Sequence, residues 1–151
     1  MCISRGLFRL FLGFYLIFAL NLQSHFVEPI TLVKEITLID DFYKALTAQK
    51  PTAIKLYSKN CPHCKIFEKP FEESAKKCKN MDFFTIDGKR LNAPQIISEI
   101  TNNQIKIPGY PTILYIKNGA ITDYMIGGDH KKHTEKLTLL NSKKTTKKKN
   151  Q

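Results

Sequence analysis

Residues 52–64 read TAIKLYSKNCPHC, and the fold turns on how this stretch is interpreted. Thr52 to Tyr57 is a compact run containing β-forming Ile54 and Tyr57, bounded by Pro51 and by Ser58-Lys59-Asn60, so it reads as a buried strand. Cys61-Pro62-His63-Cys64 follows at once and opens a helix, since Pro62 suits a first helical turn and the apolar residues Cys64, Phe67, Phe71, Ala75 and Cys78 recur every three or four positions. A cysteine pair spaced C-x-x-C between a strand and a helix reads as a redox pair. At a helix N-terminus the first amides are unpaired and the macrodipole is positive, so a thiolate on Cys61 is stabilised and its pKa falls. Cys61 is therefore the candidate nucleophile. Cys64, about one turn further on, can attack a mixed disulfide and release the product, while His63 adds positive charge beside the thiolate.

Outward from this stretch the chain alternates element types. Upstream, Val33 to Leu38 forms a short alternating strand, and Asp40 offers an N-cap to a helix over 41–49. Downstream, the apolar stripe predicts one long helix from Cys64 to Cys78, kinked near Glu68 and Lys69 by Pro70, with Cys78 in the core about 21 Å from Cys64. Met81 to Asp87 reads as a strand and Ala93 to Ile100 as a helix with Pro94 in its first turn. Thr112 to Lys117 and Ala120 to Ile126 form a hairpin about Asn118-Gly119. A last helix over 129–141 carries His133, Leu137 and Leu140 on one face. This order predicts an α/β domain over 33–141, with parallel strands first and an antiparallel hairpin last.

The ends differ in composition. Arg5 and Arg9 precede an uncharged run from Leu10 to Leu20, and polar Asn21, Gln23 and Ser24 follow. The run is shorter than the roughly 20 residues of a comfortable membrane span, which makes residues 1–24 a signal peptide, or else an uncleaved N-terminal anchor, with 25–32 a linker. Export places the domain in the periplasm or a secretory lumen, an oxidising compartment where cysteines cycle through disulfides. Cys2, without a lipobox, is lost with the signal. The chain carries a net charge of +11 over 151 residues, of which +6 falls in residues 129–151 and only +4 in 30–128. The middle has no basic helix interleaved with aromatics, so it is no dedicated nucleic-acid reader. Lys143, Lys144, Lys147, Lys148 and Lys149 make 142–151 a disordered, solvated tail, with attraction to an anionic membrane surface as a second role.

Two separate signatures resemble the thioredoxin superfamily: Cys61-Pro62-His63-Cys64 after TAIKLY, and Gly109-Tyr110-Pro111-Thr112 ahead of ILYIK. The resemblance implies a thioredoxin fold, a central mixed β-sheet flanked by helices, over Val33 to Leu140. It implies a cis Pro111 facing Cys61, with the backbone beside it pairing to an extended substrate and Gly109 and Tyr110 as further substrate contacts. Tyr110 is equally readable as a packing aromatic. Pro62-His63 is the dipeptide of DsbA-type periplasmic oxidases, whereas the Gly-Tyr-Pro-Thr loop is similar to that of protein disulfide isomerases. With 50 positions between Cys61 and Pro111, no large helical insertion fits.

Departures from the resemblance are informative. Asn60 stands where an aromatic is usual, and Pro70 falls six residues after the second cysteine where five is usual. Lys55 occupies the position of a buried acid that relays a proton to the second cysteine; as a cation it would lower both thiol pKa values and bias the pair toward oxidation. A structural disulfide or zinc half-site is the plainer reading of Cys61 and Cys64, but zinc needs four ligands and no second C-x-x-C exists. His25, His130 and His133 are scattered and read as surface or helix-face residues. The expected activity is thiol–disulfide exchange on cysteine-containing exported proteins, by disulfide formation or isomerisation, with no cofactor beyond the Cys61–Cys64 pair and with a redox partner that recycles it. An exported reductase serving metal or haem maturation, and a peptide-binding module or holdase without turnover, are the alternatives.

Overall fold

A computed structural model describes residues 32–142. Its elements are β1 (Val33–Glu35), α1 (Ile39–Leu46), β2 (Thr52–Tyr57), α2 (Pro62–Ile66), α3 (Glu68–Lys77), β3 (Asp82–Asp87), a 3-10 turn (Arg90–Asn92), α4 (Ala93–Ile100), β4 (Thr112–Lys117), β5 (Ala120–Ile126) and α5 (His130–Asn141). The five strands form one sheet in the order β1-β3-β2-β4-β5. β1, β3 and β2 run parallel, while β2 pairs antiparallel with β4 and β4 with β5. The expectations for a leader, for the first seven linker residues and for the lysine tail lie outside the described residues.

β2 occupies the centre of the sheet, so its alternate side chains feed two cores. Ile54 and Leu56 join Phe42, Leu46, Ile86, Ile97, Leu114 and Ile116 in a layer with α1 and α4. Ala53 joins Phe67, Phe71, Phe83, Ile113, Tyr115 and Leu137 in the layer with α3 and α5. The hairpin closes as its sequence demands, because Asn118 and Gly119 both hold positive φ (54° and 76°).

Four local expectations are corrected. α1 starts two residues early, at Ile39, with Leu38 as an N-cap that makes no side-chain bond; Asp40 lies inside the first turn, where a carboxylate favours the dipole without capping. α1 also ends at Leu46, short of Gln49, because Thr47 Oγ1 and its amide both bond the Tyr43 carbonyl and close the last turn. The single long helix is in fact two, broken at Phe67, which is C-cap of α2 and N-cap of α3. The cause is Pro70: it has no amide to donate back to Ile66 and fits only within a first turn, so the break falls ahead of Glu68. Cys78 is the C-cap of α3, half-buried at the edge of the second core and not within it. The spacing of about 21 Å expected of one continuous helix therefore does not apply between Cys64 and Cys78.

Candidate functional site

The end of β2 delivers the chain to Cys61 by way of a turn in which the Cys61 amide bonds the Ser58 carbonyl (3.1 Å). Cys61 adopts an extended conformation (φ −94°, ψ 110°) and is the N-cap of α2, with Pro62 at its first position. Its Sγ accepts a 3.1 Å hydrogen bond from the Cys64 amide. The same amide also donates to the Cys61 carbonyl (3.1 Å), so a helix-terminal donor is shared with the sulfur, a contact that stabilises a thiolate there. Cys61 and Cys64 are disulfide-bonded, with Cα atoms 5.2 Å apart. The two sulfurs are unequal: Cys61 is half-buried, whereas Cys64 is only 4% exposed. The outer one is open to attack and the inner one is shielded. His63 is exposed on α2, beside the pair.

Opposite Cys61 lies the loop ahead of β4. The Tyr110 carbonyl oxygen is 3.4 Å from Cys61 Sγ, and the Tyr110–Pro111 peptide bond is cis. Thr112 Oγ1 donates to the Gly109 carbonyl (2.7 Å) and the Gly127 amide to the Pro111 carbonyl (2.8 Å), so the loop is tied at both ends. The Tyr110 ring is partly buried against the first core layer and lies over Gly88; a Cβ at Gly88 would stand 2.2 Å from that ring. Of the two readings of Tyr110, the ring packs and the backbone faces Cys61. Burial, with the nearby Asp87 carboxylate, raises its phenol above the ordinary value. Gly88 was not singled out from the sequence; its lone glycine after a strand was the available signal.

Lys55 is 4% exposed on the central strand, on the face of Ala53, with Nζ 5.3 Å from the centroid of the Phe71 ring. Desolvation pushes its ammonium below the ordinary lysine value, while Glu68 and Glu72 pull the other way. Lys55 lines a cavity of about 360 Å³ together with Glu35, Tyr57, Cys64, Lys65 and Glu68. Lys55 and Cys64 thus line the same cavity, and Cys61 is not among its lining residues. Glu68, one turn beyond Cys64, was missed in the sequence because a solvent-facing glutamate on a helix carries no local signal. Among the described residues no group of three or more His, Cys, Asp or Glu side chains is placed to hold a metal ion. His130 is exposed and His133 fully buried, both far along the chain from the pair.

Comparison with known proteins agrees with this arrangement. The chain is 30% identical over 95 residues to a thioredoxin of Mycoplasmoides gallisepticum, a match spanning 63% of this chain and 88% of that one. It is 34% identical over 77 residues to Thioredoxin H5 of Arabidopsis thaliana, covering 51% of this chain and 59% of the relative, and so less than two thirds of that relative's length. Protein disulfide-isomerase 1 of Caenorhabditis elegans matches at 28% identity across 17% of its length. Among solved structures, a thioredoxin of Malassezia sympodialis superposes with a TM-score of 0.64 at 24% identity, covering 79% of this chain and 99% of its own, which shows a shared fold. The family model described as Thioredoxin matches residues 33–139, and the chain belongs to the thioredoxin family.

Proposed function

We propose that the protein is a thiol–disulfide oxidoreductase that acts on exported proteins through Cys61 and Cys64, in the direction of disulfide formation or isomerisation. The observation that carries this reading is the Cys64 amide on Cys61 Sγ with the Tyr110 carbonyl 3.4 Å away, a polarised sulfur beside an open peptide edge. In the oxidising direction a client thiolate attacks Cys61 Sγ, the Cys61–Cys64 bond breaks, and Cys64 leaves as a thiolate. A second client thiolate then attacks the client sulfur of the mixed disulfide. Cys61 leaves as a thiolate stabilised by the Cys64 amide, and the client's two electrons end on the pair. An extended client would pair its backbone with the loop at Gly109, Tyr110 and Pro111. Pro62 and His63 tune the pair from the outer side and Lys55 from the inner side.

No cofactor beyond the disulfide enters this scheme, and an upstream oxidant of the thiol-accepting class returns the pair to its oxidised state. The basic start and uncharged run of residues 1–24 support an exported location, and the lysine tail supports attraction to anionic lipid. The direction is tested by equilibrating the pair with glutathione. Stabilised thiolates are expected to give a potential of about −180 to −120 mV; a value near about −270 mV assigns the protein to reduction instead.

A further inference from the structure

Tyr57 of β2 pairs with Asp87 of β3 and Leu56 with Thr112 of β4, so the turns after β2 and β3 and the loop ahead of β4 gather at one end of the sheet, around Cys61. Residues 58–65 and 87–92 at this end hold Lys59, Lys65, Lys89 and Arg90 against the single acid Asp87. All four cations are exposed. Lys59 and Lys65 line the cavity that reaches Cys64, and the Lys65 amide bonds the Cys61 carbonyl (3.3 Å), one helical turn beyond the outer sulfur. Lys89 and Arg90 follow Gly88, over which the Tyr110 ring lies, so they flank the loop whose carbonyl faces Cys61. Leu91 packs against the first core layer and anchors the 3-10 turn, leaving the two basic residues before it outside. No internal partner holds these charges. Among the described residues no carboxylate lies within 4.0 Å of any of the four; the salt bridges are those of Lys44, Lys50 and Lys136. Of the nearby acids, Glu35 accepts from the Tyr57 hydroxyl (3.0 Å), Asp87 from the Lys89 amide (3.1 Å), and Glu68 lines the inner cavity. Asn60, also exposed, adds no apolar surface beside Cys61.

We infer that this rim selects client cysteines whose neighbouring residues are acidic, the client's carboxylates being received by Lys59 and Lys65 beside the redox helix and by Lys89 and Arg90 beside the substrate loop. This deepens the proposed redox activity and rests on it. An extended client that pairs with the loop at Tyr110 and Pro111 while its cysteine meets Cys61 brings the residues flanking that cysteine within reach of the cations. Exposed ion pairs in water are individually weak, so the effect falls on encounter. Unpaired cations grouped around one sulfur raise the local concentration of an acidic segment and its rate of association, and salt screens them. A polypeptide is favoured over a lipid surface as the occupant, because two of the cations line a recessed cavity next to the half-buried sulfur, which a flat bilayer does not enter.

The test uses the full chain carrying Cys2→Ser, Cys64→Ser and Cys78→Ser, which leaves Cys61 as its one thiol. It is mixed at about pH 7 with short peptides whose single cysteine is joined by a disulfide to thionitrobenzoate and flanked by glutamate, glutamine or lysine. The Cys61 thiolate attacks the peptide sulfur, the bond to thionitrobenzoate breaks, and the coloured thiolate leaves with the electron pair. At about 20 mM salt the glutamate peptide is expected to react at least about tenfold faster than the glutamine peptide, and the lysine peptide slower than both, with the spread shrinking to about twofold at about 500 mM. Lys59→Gln/Lys65→Gln and Lys89→Gln/Arg90→Gln should each lower the glutamate-to-glutamine ratio by about threefold or more. Lys147→Gln/Lys148→Gln, which removes the same charge from the tail, should leave the ratio unchanged. Comparing ratios cancels any change in the reactivity of Cys61 itself. Equal rates for the three peptides overturn the inference, and so does a ratio that falls equally wherever two charges are removed. A ratio retained in rim variants that have lost binding to phosphatidylglycerol vesicles assigns the cations to lipid and overturns it as well. Release from every peptide no faster than with free cysteine would instead defeat the oxidoreductase reading itself, so the two failures are distinct.

Discussion

The Tyr115 hydroxyl and His133 Nδ1 are 2.7 Å apart, and neither residue is more than 1% exposed. The His133 ring stands edge-on to Phe67 at 5.3 Å, so this polar pair packs directly against the residue at which α2 gives way to α3. His133 Nε2 is buried with no hydrogen-bond partner among the described residues. Burial is the main cause that lowers the His133 pKa to about 4, with a smaller push from His130, and burial likewise raises the Tyr115 phenol.

Acid should therefore loosen the fold through His133. Its folded pKa of about 4 lies below the ordinary 6.5, so its share of stability is complete above 6.5 and is lost as pH falls toward 4. The full loss is about 3 kcal/mol. Thermal unfolding at about pH 7 and about pH 4.5 should show a clearly larger drop for the parent than for Tyr115→Phe/His133→Phe, in which both polar partners are removed together. Equal drops in the two proteins would rule His133 out as the source.

Gly88→Ala drives a methyl group into the Tyr110 ring, where 2.2 Å is available. Overpacking of this kind costs about 1 to 3 kcal/mol. The larger effect is expected on turnover, because moving Tyr110 moves the carbonyl that faces Cys61. Exchange with a mixed-disulfide peptide should fall by about tenfold or more, and trimming the ring in Gly88→Ala/Tyr110→Val should restore part of it. Unchanged turnover in Gly88→Ala would mean that the loop position is set elsewhere.

The inequality of the two sulfurs predicts their chemistry. With Cys64→Ser, Cys61 should alkylate with iodoacetamide at least about tenfold faster near pH 7 than Cys64 does in Cys61→Ser, since only Cys61 is both amide-bonded and accessible. Cys64→Ser should also trap clients as mixed disulfides visible on non-reducing gels. Similar alkylation rates would remove the basis for naming Cys61 the nucleophile.

Helix α5 is tied at both ends. Asp129 accepts from the Lys132 amide (3.0 Å) at its start, and Lys117 Nζ donates to the Leu140 and Ser142 carbonyls (2.6 and 2.7 Å) at its finish. Asp129→Ala should cost about 1 kcal/mol and Lys117→Met about 1 to 2 kcal/mol. The two contacts are separated by the length of a 12-residue helix, so the double variant should show the sum of the two losses in urea unfolding.

Patterns that repeat locally were legible in advance. β2 and β4, the hairpin about Asn118-Gly119, the Pro94 helix and the cysteine pair at a helix start all follow from near-neighbour rules of period, proline placement and turn conformation. Where a local signal competes with packing it misleads. Asp40 is a good capping residue, yet burial of Phe42, Ala45 and Leu46 starts the helix at Ile39. The stripe through Cys78 suggested core, yet the residue caps α3 at the rim.

Residue order alone thus determined the alternation of strands and helices, the placement of Cys61 and Cys64 at a helix start, and an oddly charged Lys55 in an apolar strand. Only the tertiary structure decided which groups Lys55 meets, which way the Tyr110 ring turns and that His133 is sealed against Tyr115. Each of these is a contact between elements remote in sequence, set by how the two core layers pack on opposite faces of the sheet, and near-neighbour spacing carries no record of that.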